Sequence, residues 1–187
     1  MKSSRIVLVL FVVVALAQLA VPTSQLWRYE RTLRTGRAYK FRTRPVDPYD
    51  AFRGRYVALA FEEHEAPWEG DVSAKRGSTG YAVLGEDADG FAKVLRVVPV
   101  PPDSGDYLRV EKSYSSATNC VGFRFPFERF YMEERKAPEA ERVYRESNRL
   151  GETKRNTYAV VRVRNGVGVI EDLFVGDKPI REAIRQP

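Results

Sequence analysis

Histidine and cysteine each occur once in this chain of 187 residues, as His64 and Cys120, and that scarcity decides much of what its side chains can do. Tetrahedral zinc sites draw several Cys and His ligands, so only cations with oxygen ligands remain, and two acidic groups come into question. Asp47 and Asp50 sit in a proline turn, where carboxylates accept backbone N–H bonds locally. The stretch Gly85 to Gly90 lacks the distal Glu of a calcium loop and reads as a hairpin tip. No metal or cofactor is assigned to either. A Ser-His-Asp device would have to use His64, which has no nucleophile motif near it. Two hydrolase arrangements stay open: Ser24 with a lysine, by its position soon after an apolar segment, and Glu128 with Glu133 or Glu134 as acid and base. The surrounding Phe125-Pro-Phe-Glu-Arg-Phe-Tyr-Met reads first as core and rim. Cys120 lies in a strand-like stretch as a buried filler, and a lone cysteine forms no internal disulfide. No catalytic residue is assigned.

The elements that would position such groups are most legible from Arg44 to Glu62. Pro45 and Pro48 push the residue before each away from helix, and Asp47 and Asp50 can cap the resulting turn. Gly54 then launches a strand in which Val57, Leu59 and Phe61 share one face and Tyr56, Ala58 and Ala60 the other. With both faces largely apolar, this strand is expected at the centre of a sheet. Tyr49, Phe52, Arg53 and Arg55 surround the turn. They either form a contact surface, since arginine and tyrosine give much area per rotatable bond, or fold back and solvate without consequence.

This run resembles the GDYXXLXY motif that gives a bacterial family its name. Gly54, Tyr56 and Leu59 stand at the motif's Gly, first Tyr and Leu, and the Pro-Val-Asp-Pro lead-in also looks like the family. Arg55 replaces the motif's Asp, and Phe61 its final Tyr. The resemblance implies a small protein with an N-terminal membrane segment and an extracytoplasmic domain, and it brings no known reaction. The candidate motif or partner-binding residues are therefore Asp47, Asp50, Arg53, Gly54, Arg55, Tyr56 and Leu59.

The N-terminus carries the localisation signal. Lys2 and Arg5 precede an uncharged run from Ile6 that, counted on to Trp27, spans roughly 33 Å as a helix, enough for the ~30 Å hydrocarbon core. Trp27 and Tyr29 fall at the interface, and the positive-inside rule leaves the rest of the chain outside the cytoplasm. The expected organisation is an anchor over residues 1–29 and an extracytoplasmic domain over 30–187. Alternatively, Ala15-Leu16-Ala17 is a small-x-small site whose cleavage would give a mature chain beginning at Gln18. A net charge of +6 is scattered without a basic run, which suits a surface near anionic headgroups and, with an export signal, argues against a nucleic-acid partner.

Beyond Tyr29 the charged segment extends the membrane helix to a stop at Gly36, and a first strand over residues 38–43 should pair with the motif strand. Residues 64–78 read as a loop carrying Trp68. A hairpin follows around the turn at 86–90, then strands at 106–112 and 119–127, making six before the first soluble helix. That helix runs from Pro138 to a stop at Gly151, with Ala140, Val143, Tyr144 and Ser147 along its packed stripe. Asn165-Gly166 joins the last two strands through a type I′ turn, and a short helix follows over 179–185. The fold class is mainly β (α+β): a membrane helix, then a small barrel- or sandwich-like domain with one packed helix.

Two function classes follow: a membrane-anchored, non-catalytic interaction or assembly partner of another envelope or integral membrane protein, or an envelope hydrolase. In either case the chain is expected as a single-pass protein of the bacterial cytoplasmic membrane. A reporter fused to the C-terminus should be active only outside the cytoplasm; activity inside would overturn this topology.

Overall fold

The computed structural model describes residues 2–44, 56–70, 76–115, 119–133, 136–147 and 157–184. After α1 (Lys2–Thr35) come β1 (Arg37–Arg44), β2 (Tyr56–Ala58), β3 (Ala60–Phe61), β4 (Glu65–Pro67), β5 (Thr79–Glu86), β6 (Ala92–Val98), β7 (Tyr107–Ser115), β8 (Cys120–Arg124) and β9 (Arg129–Tyr131). The packed helix α2 (Ala137–Ser147) separates these from β10 (Thr157–Arg164), β11 (Val167–Val175), β12 (Lys178–Pro179) and α3 (Ile180–Ala183). The fold is mostly β, as its patterning requires.

One five-stranded sheet has the order β12-β11-β10-β1-β3. Its centre is β10, whose alternate residues from Thr157 to Val163 are all buried while their neighbours are half-buried. The hairpin to β11 turns on Asn165 and Gly166 with φ of 48° and 78°, as the type I′ reading requires. A second sheet has the order β4-β8-β7-β5-β6. Irregularities at Val83/Leu84 and Lys112/Tyr114 break its ladders, and such bulges increase local twist and bend a strand. The sheet curls until a parallel bridge from Trp68 to Val97 joins its outer edges. On that seam the Glu69 N–H donates to the Val97 carbonyl at 2.9 Å, and the Val94 N–H to the Glu63 carboxylate at 2.8 Å. Edge groups that would otherwise template another chain are thereby occupied.

One core joins the two sheets. Phe41 from β1, Phe61 from β3, Phe123 from β8, and Phe125 and Phe127 beyond it are all buried. Phe125 lies edge-on to Phe41 at 5.2 Å and to Phe61 at 5.5 Å, and stacks on Phe127 at 5.1 Å. Edge-to-face and offset pairs of this kind contribute about 0.5–1.5 kcal/mol each beyond their burial. The Asn165-Gly166 tip adds a main-chain link, because the Arg109 N–H donates to the Gly166 carbonyl at 2.9 Å.

Several expectations need correction. The motif strand is not central: β3 is outermost in its sheet, and β2 pairs separately with β9. The reason lies at Leu59, whose N–H leaves the ladder to donate to the Glu128 carbonyl at 2.9 Å. Pairing with β1 is thus limited to Thr43 with Phe61 and Arg44 with Ala60. Residues 64–78 are not simply a loop, since β4 lies within them and Trp68 is buried under the Lys112 ammonium, 3.7 Å from the ring centroid. The strand expected over 119–127 stops at Arg124, and β9 and β12 were not anticipated. Gly36 ends α1 as expected, but its φ is not left-handed. A Cβ there would meet the Thr32 carbonyl oxygen at 2.5 Å and the Val163 backbone near 3 Å, so close approach is what calls for glycine. Ala140 and Tyr144 of the α2 stripe are fully buried, and the Gly151 stop lies outside the described residues.

Gly168 marks the tightest packing in the core: a Cβ there would stand 2.4 Å from Phe127 Cε1 and 2.7 Å from Leu108 Cδ2. Gly168→Ala should therefore cost about 1–3 kcal/mol by overpacking, read as a lower denaturation midpoint. An unchanged midpoint would mean that the phenylalanine cluster yields space freely.

Candidate functional site

Three open clefts, of about 660, 610 and 650 Å³, all have Phe125 and Glu128 on their walls. The segment from Arg124 to Tyr131 is thus the meeting point of the concave surface, and the described motif residues hold it there. Leu59 is buried and fixes the Glu128 carbonyl. Beside it Tyr56, Val57 and Ala58 pair with Tyr131, Phe130 and Arg129. The rings of Tyr56 and Tyr131 are 5.6 Å apart, and the Arg129 guanidinium lies 4.9 Å over the Tyr56 ring. Tyr131 is 63% exposed, and Tyr56 is half-buried. The other candidates, Asp47, Asp50, Arg53, Gly54 and Arg55, together with Tyr49 and Phe52, lie outside the described residues.

A family model described as GDYXXLXY protein matches residues 18–173. The chain belongs to this family. No curated protein and no solved structure matches it. In this GDYXXLXY protein the departure at Phe61 has a visible setting: the ring is buried against Phe41, Phe125 and Phe127, all apolar. The family's function is unknown, so any reading of the site has to come from its geometry.

Of the groups weighed for chemistry, Ser24 sits in α1 with its hydroxyl donating to the Val21 carbonyl at 2.7 Å. Glu128 is exposed, and Glu133 is exposed and paired with Lys136 at 2.7 Å, while Glu134 lies outside the described residues. His64 donates its Nδ1–H to the Glu62 carbonyl, and Cys120 is half-buried in β8. Asp87 does form a hairpin tip. It accepts the N–H groups of Asp89 and Phe91 and pairs with Arg42, which also reaches Asp89 at 2.9 Å. The Arg42 bond and these N–H donors hold the Asp87 carboxyl below its usual range. Among the described residues, no group of His, Cys, Asp and Glu could hold a metal ion.

The largest of these three clefts contains residues that sequence reasoning missed. Gln25, Arg28 and Tyr29 of α1 form one wall, and Arg109, Glu111, Arg124 and Glu128 contribute the charges opposite. Nothing in their sequence spacing connects them; β7–β8 pairing, which sets Glu111 opposite Arg124, and the docking of α1 do.

The motif residue Leu59 and Tyr131, the strand partner of Tyr56, differ in burial, so their substitutions should differ. Leu59→Ala removes a buried side chain and should cost about 2–5 kcal/mol of stability. Tyr131→Ala, losing only a surface aromatic pair, should cost about 1 kcal/mol or less. Equal losses in urea denaturation would contradict this division between bracing and surface.

Proposed function

We propose that this protein is a membrane-moored, non-catalytic interaction or assembly module whose domain stands on the extracytoplasmic face of the bacterial cytoplasmic membrane and contacts another envelope or integral membrane protein. The observation that carries this reading is the construction of α1. It is one helix with two different surfaces along its length: the large apolar side chains from Ile6 to Trp27 are exposed, whereas Thr32 is 2% exposed against the domain. An apolar stretch of this length, with none of it covered by the protein, suits lipid or an equivalent apolar partner. The end of the same helix packs on β10 and β11, and β1 starts at Arg37. Arg162 bonds the Gly36 carbonyl at 3.3 Å and the Glu171 carboxylate at 2.6 Å, which fixes this corner. No flexible tether separates anchor from domain, so a partner would meet the domain in one orientation, with little ordering entropy lost on docking.

The surface best suited to that partner is the patch of Tyr56, Arg129 and Tyr131, contiguous in sequence with Arg53 and Arg55. Tyrosine and arginine are the residue types that most often dominate interfaces. Outside α1, the exposed large hydrophobic side chains among the described residues are Leu95, Val100 and Tyr131. Of these, Tyr131 alone adjoins the motif strand.

A photo-crosslinking amino acid placed at Tyr131 in living cells should give a discrete adduct with a membrane protein, and one placed at Val100 should not. Arg53→Ala with Arg55→Ala should abolish that adduct without changing the melting temperature. The same adduct from Val100, or an adduct from Tyr131 that survives in the stable double variant, would move the contact surface elsewhere.

A further inference from the structure

We propose that the cleft between α1 and the second sheet binds the headgroup of a phospholipid that carries both a phosphate and a primary amine, taken from the leaflet beside the domain. The inference rests on the membrane anchoring above and deepens it. Arg28 is the first charged residue after Arg5, and the intervening uncharged helix matches the hydrocarbon thickness, so Arg28 falls at the level of the lipid phosphates. Gln25 and Tyr29 lie three residues before and one after Arg28, all on the wall of the cleft. The cleft therefore reaches from the last apolar turn of the helix into the domain.

The charge arrangement suggests the ligand. Arg28, Arg109 and Arg124 bring guanidinium groups, which match phosphate oxygens in a planar, forked geometry, while Glu111 and Glu128 bring carboxylates. Among the described residues none of these five is ion-paired, although they share one cleft. Arg109 has only the Thr79 hydroxyl, at 3.3 Å, and Arg124 stands opposite Glu111 in the strand register without forming a salt bridge. Charges of both signs held in one concavity and not neutralising each other fit a ligand of both signs. A phosphodiester takes the arginines and an ammonium the glutamates. The volume, about 660 Å³, is in the range of small-molecule sites. Its mouth beside the helix leaves acyl chains in the bilayer.

The test uses the full-length chain reconstituted in vesicles of phosphatidylcholine, phosphatidylethanolamine and phosphatidylglycerol, then extracted in mild detergent and weighed by native mass spectrometry. The expected result is retention of phosphatidylethanolamine above the other two. Arg109→Gln with Arg124→Gln should lower that occupancy about tenfold with an unchanged melting temperature. Glu111→Gln with Glu128→Gln should erase the preference over phosphatidylglycerol. If the arginine double variant fails to fold, Arg28→Gln, at an exposed helix position on the cleft wall, must give the same loss. Equal retention by folded variants, or no retained lipid, overturns the site. Displacement by millimolar inorganic phosphate would make it a site for free phosphate and overturn the lipid assignment. A chain that leaves the vesicles on a carbonate wash would instead overturn the anchoring itself, and this inference with it.

Discussion

The rest of the structure depends on the contact that Phe125 makes with rings from both sheets. Its neighbours come from β1, β3, β8 and its own segment, and each is within 5.5 Å between centroids. Burying a phenylalanine contributes about 1.5–3 kcal/mol, so the cluster is a large share of the stability of a domain of this size. Its position matters as much as its size. The closed sheet and the open sheet also meet where the Gly166 carbonyl accepts from β7, where Tyr39 donates to Asp106 and Arg37 to Glu86, and where the tip of the β5–β6 hairpin holds Arg42. Gly168 passes Phe127 so closely because the cluster leaves no room for a side chain.

That cluster also places the concave surface. Residues Phe125 to Glu128 leave the ladder to deliver Phe125 and Phe127 inward, and Glu128 at the end of this segment lines all three clefts. Leu59 then takes up the Glu128 carbonyl, which would otherwise lose its ladder partner where the strand ends. The mooring of α1 acts on the other side of the largest cleft. Because Gly36 allows the helix end to touch the Val163 backbone, Arg28 and Tyr29 are held against the domain instead of drifting on a linker.

How much of this was legible in the sequence depended on whether the signal was local. The Asn165-Gly166 turn, the Asp87 hairpin tip, the α2 stripe and the membrane-length helix are written in neighbouring residues and appear as read. The motif strand was read correctly in its alternation, since Val57, Leu59 and Phe61 are buried and Tyr56, Ala58 and Ala60 half-buried. Its place in the fold was not, because a change of hydrogen-bonding partner at Leu59 leaves no mark on periodicity. Trp68 illustrates the same limit: polar neighbours suggested a loop, while its burial depends on Val97 and Lys112 from distant strands. The cleft was invisible for the same reason, since Arg28, Arg109 and Arg124 meet only through the docking of three elements.

The motif can now be understood as one strand that serves two partners. Its first part, Tyr56 to Ala58, belongs to β9; its last part, Ala60 and Phe61, belongs to β1. The residue between must give up its ladder bond and still anchor inward, which a buried leucine with its N–H on Glu128 does. The final aromatic position then lies where both sheets converge. In this chain the neighbours of that ring are Phe41, Phe125 and Phe127, with no hydroxyl among them. A tyrosine at position 61 would need an acceptor for its phenol, and an unmet buried hydroxyl costs about 1–3 kcal/mol. Phenylalanine avoids that cost while keeping the ring contacts, so the departure from the family motif at this position follows from the apolar character of the cluster it enters.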